Sequence, residues 1–86
     1  MYFVFTKENC DYCDAAKNLL KSGNIEYVEC LLDTPQKIND FKEKTGEKTV
    51  PQIYRGDGKH IGDYNGLKWY IEVHLQQVVH KMLRGF

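Results

Sequence analysis

The chain has 86 residues, 42% hydrophobic and 28% charged, with a formal net charge of +0. That length suits a single domain near the lower limit for folding on one hydrophobic core, so residues 1–86 are read as one unit. The even charge balance lacks the basic excess of a nucleic-acid binder, and no apolar run approaches the roughly 20 residues that span a bilayer.

Tyr2 to Phe5 reads as a first strand, and Met1 runs straight into it, which leaves no room for a signal peptide and points to the cytoplasm. Cys10-Asp11-Tyr12-Cys13 follows, opening a helix read from Asp11 to Ser22. Ala15, Ala16, Leu19 and Leu20 recur there at helical spacing, and Gly23-Asn24 is a stop signal. A second strand is read over Ile25 to Glu29. Asp33-Thr34-Pro35 caps a second helix that turns Ile38 and Phe41 inward and ends at Thr45-Gly46.

Thr49-Val50-Pro51 then opens a third strand, Gln52 to Tyr54, and Arg55-Gly56-Asp57-Gly58 makes a hairpin turn into a fourth, Lys59 to Ile61. After a loop over Gly62 to Gly66, a last helix is read from Leu67 towards Met82 or Leu83, carrying Tyr70, Ile71, His74, Leu75, Val78, Val79 and Met82 at helical spacing. The order is βαβ then ββα. It predicts an α/β, thioredoxin-like fold: a four-stranded mixed sheet flanked by three helices, with strands one and two parallel and strands three and four antiparallel.

A pair of thiols two residues apart at a strand-to-helix junction carries the chemistry. The first sulfur sits at the positive end of the helix dipole, where a thiolate is stabilised, and the second lies one turn away. Cys10 is thus the expected nucleophile and Cys13 the resolving thiol. Lys7 favours the thiolate; Asp11 and Asp14 oppose it. Two other readings stand beside this one. Half a zinc site, completed by Cys30, His60 or His74, lacks the second ligand pair such sites carry, so no metal is expected. A structural disulfide is uncommon in a reducing compartment. Cys30, the third cysteine, reads as a small buried hydrophobe. His60, His74 and His80 lack metal-ligand spacing and read as solvated or satisfied in the core.

Val50-Pro51 is the second element. A cis bond there would turn the Val50 backbone groups outward, where an extended substrate could pair with them as an added strand.

Thr6-Lys7-Glu8-Asn9-Cys10-Asp11-Tyr12-Cys13, Thr49-Val50-Pro51-Gln52-Ile53 and His60-Ile61-Gly62-Asp63-Tyr64-Asn65-Gly66-Leu67 together resemble the three signatures of dithiol glutaredoxins, and the short form resembles bacterial and phage-type members. The resemblance implies reduction of protein disulfides and glutathione mixed disulfides, with glutathione as reductant and co-substrate and with no metal. Partners would be disulfide-containing proteins, with ribonucleotide reductase as one recipient of electrons, and the working form a monomer in a bacterial or phage-infected cytoplasm. It assigns attack to Cys10 and resolution to Cys13. The glutathione site would comprise Lys7, Tyr12, Lys37, Thr49, Val50, Pro51, Asp63, Asn65 and Gly66, with Lys7 near the glycine carboxylate and Val50 on the cysteinyl backbone.

Two positions depart from the family pattern. Asp11 stands where proline is usual, and Gly66 where an Asp meets the ligand ammonium. Loss of that partly exposed charge-assisted bond implies glutathione binding weaker by about 1–2 kcal/mol, with Asp63 as the substitute. The departure keeps open a redoxin recharged by thioredoxin reductase, and a third reading is a metal or iron–sulfur module bridged through Cys10.

Overall fold

The computed structural model describes residues 1–75. Strand β1 (Tyr2–Thr6) leads to helix α1 (Asp11–Ser22), then β2 (Tyr27–Leu31), α2 (Pro35–Thr45), β3 (Gln52–Arg55), β4 (His60–Gly62) and α3 (Tyr64–Tyr70), which continues as a π-helical turn over Ile71–Leu75. The strands lie in the order β2-β1-β3-β4. β1 runs parallel to β2 and antiparallel to β3, and β3 is antiparallel to β4. This is the expected mixed sheet with three helices.

Alternation along β1 divides the core. Val4 faces α1 and α3, packing with Ala16, Leu20, Ile53, Leu67 and Ile71. Phe5 faces the other way, its ring 4.8 Å from that of Phe41 on α2 and 5.7 Å from Tyr54. The sheet is therefore covered on both sides, and the loops at the C-terminal end of β1 are left to form a site.

Helix ends follow the capping residues. Thr34 accepts the Lys37 amide at 3.2 Å, Pro35 occupies the first turn, and Gly46 closes α2 in the left-handed region (φ 74°). At the end of α1 the left-handed residue is Asn24 (φ 55°). Its amide donates to Lys21 O at 3.1 Å while the Ile25 amide donates to Leu20 O at 2.9 Å, a Schellman arrangement. Ile25 is therefore spent on finishing the helix, and β2 begins at Tyr27, two residues later than the expected Ile25.

The last helix departs further from expectation. It starts at Tyr64, because Asp63 caps it by accepting the Gly66 amide at 2.9 Å. Gly66 suits this position for a steric reason: a Cβ there would lie 2.9 Å from Ile61 O. The expected helical positions Val78, Val79 and Met82, and His80, lie outside the described residues, as do the side chains of His74 and Leu75. Among the described residues, no helix is long and apolar enough to cross a membrane.

Candidate active site

Asn9, in the left-handed region at φ 54°, turns the chain from β1 into α1. Cys10 thereby becomes the N-cap residue, extended at φ −122° and ψ 104°. Its sulfur accepts the Cys13 amide at 3.2 Å. A disulfide joins the two cysteines, whose Cα atoms are 5.2 Å apart. Cys13 is 1% exposed and Cys10 half-buried, so only Cys10 presents a sulfur that a bulky disulfide could reach.

Facing Cys10 is the cis Val50–Pro51 peptide. Val50 O lies 3.9 Å from Cys10 Sγ. In the disulfide this sulfur carries no proton, so the approach is a packing contact; as a thiol it would be a weak donor to that carbonyl. Pro51 and Gln52 are buried, which anchors the segment in the sheet and leaves Val50 at the edge of the site.

A groove of about 370 Å³ extends from Val50 between the loop after β1 and helix α2. Lys7, Lys42, Lys48, Thr49, Ile38 and Phe41 are among its lining residues, and no carboxylate is among them. Of the lysines expected here from sequence, Lys7 lines it and Lys37 does not. Lys37 turns instead to Asp33, one helical turn back, at 2.8 Å. Sequence reasoning missed Lys42 and Lys48. The signal for Lys42 was present: it follows Ile38 by four residues, and so shares the inward face already assigned to Ile38 and Phe41.

On the opposite flank, the exposed Tyr12 ring lies 5.7 Å from Tyr64, which brings the first turn of α3 beside the cysteines. Asp63 and Asn65 are exposed there. The amide of Gly66, expected as an open donor, is held by Asp63 Oδ1.

Beneath α1 runs a polar chain that the sequence did not announce. The buried Thr6 hydroxyl donates to Glu29 Oε2 at 2.7 Å, and Lys17 Nζ reaches the same oxygen at 3.0 Å and Asp14 Oδ1 at 3.5 Å. The Thr6 hydrogen bond, followed by that of Lys17, holds the Glu29 carboxyl below its usual range; the Glu29 bond raises Lys17. Cys30 is half-buried rather than buried, and lies on the other sheet face in register with Phe5. Burial, and then the neighbouring Glu29 charge, push its thiol up. Among the described residues no group of three His, Cys, Asp or Glu side chains is arranged to hold a metal ion.

A glutaredoxin family profile matches residues 3–61. The chain is 38% identical over 65 residues to glutaredoxin 3 of Escherichia coli (strain K12), covering 74% of this chain and 77% of that protein. It is 37% identical over 67 residues to the hybrid peroxiredoxin hyPrx5 of Haemophilus influenzae, covering 78% of this chain but only 27% of that longer protein. Among solved structures it is similar to the buckwheat glutaredoxin–glutathione complex, with a TM-score of 0.71 and 29% identity, over 83% of this chain and 67% of that one.

Proposed function

The chain belongs to the glutaredoxin family of thiol–disulfide oxidoreductases, and we propose that glutathione recharges it and that its substrates are glutathione mixed disulfides and protein disulfides. In the dithiol form, the Cys10 thiolate attacks one sulfur of the substrate disulfide. A bond forms to Cys10 as the substrate S–S bond breaks, and the departing sulfur takes up a proton. Cys13 then gives up its proton and attacks Cys10 Sγ, closing the intramolecular disulfide and releasing the second thiol. Two glutathione thiols reverse the process and leave as glutathione disulfide.

The observation that carries this reading is the cationic groove starting at Val50, within contact of the attacking sulfur. Lys7, Lys42 and Lys48 would receive the glycine carboxylate of glutathione, and the Val50 backbone would pair with its cysteinyl unit. Across the site, Asp63 would meet the ligand ammonium with the lone pairs its capping bond leaves over, beside the Asn65 backbone. The glutathione complex of the structurally similar buckwheat protein supports the ligand class. Ribonucleotide reductase is one protein substrate of this reading, and a cytoplasmic monomer its working form.

Trapping the first covalent step tests it. The Cys13→Ser chain, incubated with glutathione disulfide, is expected to gain a single glutathionyl group, mapped by mass spectrometry to Cys10. No adduct, or an adduct confined to Cys30, would overturn the reading.

A further inference from the structure

His60, on β4, stacks on Tyr54 with ring centroids 4.6 Å apart and planes inclined by 21°. Its Nε2 lies 2.7 Å from Gln52 Oε1. The other end of that amide, Gln52 Nε2, donates to Thr49 Oγ1 at 3.4 Å. Oε1 of Gln52 can only accept, so in this arrangement of the amide His60 Nε2 is the donor. Gln52 is just 3% exposed, so His60 is what satisfies the buried carbonyl end of its amide. His60 Nδ1 meanwhile lies 3.6 Å from Glu47 Oε1. The imidazole thus holds the segment before β3 at Thr49, through the Gln52 amide, while its Nδ1 edge faces Glu47 with no hydrogen bond between them.

We infer that His60 is a positioning residue for the Thr49-Val50-Pro51 segment, setting the place at which the backbone of a bound glutathionyl or peptidyl cysteine is received. The inference rests on the reading of that segment as the glutathione-holding edge. Without the His60 donor, the Gln52 amide has a buried acceptor left open and is free to turn, and Thr49 loses its fixed partner. Bound substrate and transition state would suffer alike, so the effect falls on KM rather than on kcat.

Two variants separate this role from a structural one. In His60→Gln the side-chain amide nitrogen stands where Nε2 stood and still reaches Gln52. In His60→Asn it stands at the Nδ1 position, on the Glu47 side, and does not. The H60N chain is expected to show a KM for a glutathione mixed disulfide raised about fivefold, the effect of one neutral hydrogen bond, with kcat within about twofold of the unaltered chain. H60Q is expected to restore most of the loss. The two differ by one methylene at an exposed position, so a folding defect would strike both alike. An H60N chain matching the unaltered one, or equal losses in H60N and H60Q, would overturn the positioning role. Failure of the unaltered chain to turn over any glutathione substrate would instead overturn the glutathione reading beneath it.

Discussion

The backbone amide of Cys13 donates to the sulfur of Cys10 across 3.2 Å. In the reduced chain the same amide would stabilise negative charge on the Cys10 sulfur before any substrate arrives. The helix dipole acts on the same atom, and the capping bond itself joins only the two cysteines, with the left-handed Asn9 turning the chain into it. Burial completes the division, since Cys13 is enclosed and Cys10 is not.

Replacement of the two cysteines should therefore have unequal effects. Cys10→Ser is expected to abolish all turnover. Cys13→Ser is expected to keep reduction of glutathione mixed disulfides within about threefold, since a glutathione thiol can replace the resolving sulfur, and to lose reduction of protein disulfides. Parallel assays on the two substrate classes check this. Equal loss on both substrates would contradict the assigned roles.

Charge in the groove should read out as substrate affinity. Lys42→Ala and Lys48→Ala are each expected to raise KM for a glutathione mixed disulfide about two- to fivefold, the scale of an exposed ion pair. Added salt should shrink the difference. Lys37→Ala, with its ammonium committed to Asp33, should change KM less than either. A larger effect at Lys37 than at Lys42 would place the carboxylate on the other side of α2.

The Thr6–Glu29–Lys17 chain predicts a pH-dependent contribution to stability. The folded Glu29 pKa is depressed, chiefly by the Thr6 bond, so its contribution is present above the ordinary glutamate value and is lost as pH falls through the folded value. Lys17 is raised, so its share persists below the ordinary lysine value and is lost as pH rises through the folded one. Glu29→Gln should cost about 1 kcal/mol at pH 7, a figure kept low because the Lys17 and Glu29 side chains are 23% and 35% exposed. Denaturant titrations of both chains should converge in acid. A gap that stays constant from pH 7 to strongly acid solution would contradict the account.

Cys30 should prove a poor nucleophile. Its raised thiol pKa and its place on the sheet face opposite α1 predict that iodoacetamide labels Cys10 first in the reduced chain at neutral pH, with Cys30 well behind. Cys30→Ser should leave turnover unchanged at a cost of about 1 kcal/mol in stability. Timed alkylation followed by peptide mapping decides the order.

What the sequence made legible was whatever depends on neighbours along the chain. The spacing of Cys10 and Cys13, the Thr34-Pro35 start and Gly46 end of α2, and the Val50-Pro51 step each act within a turn or two, and each appears where expected. The Schellman closure at Asn24 was half legible: the stop signal was read, but not that Ile25 completes it and delays β2. Asp63 was read as a ligand contact although an Asp three residues before a tightly packed Gly66 is also a capping residue, and the structure uses it so. The rest depends on elements far apart in sequence. Lys48 joins the groove only because the loop before β3 returns to α2. Likewise His60 meets Gln52 only through the pairing of β3 with β4, in which Tyr54 stands opposite His60. No local pattern carries that information.

The central claim, a glutaredoxin recharged by glutathione, is tested most directly by steady-state reduction of a small glutathione mixed disulfide, with NADPH consumption followed through glutathione reductase. A second run replaces glutathione and its reductase with thioredoxin reductase. Turnover in the glutathione system and none with thioredoxin reductase is the predicted result. Turnover only with thioredoxin reductase would contradict the account, and would mean that the turn carrying Asp63 and Gly66 has redirected the fold to another electron source.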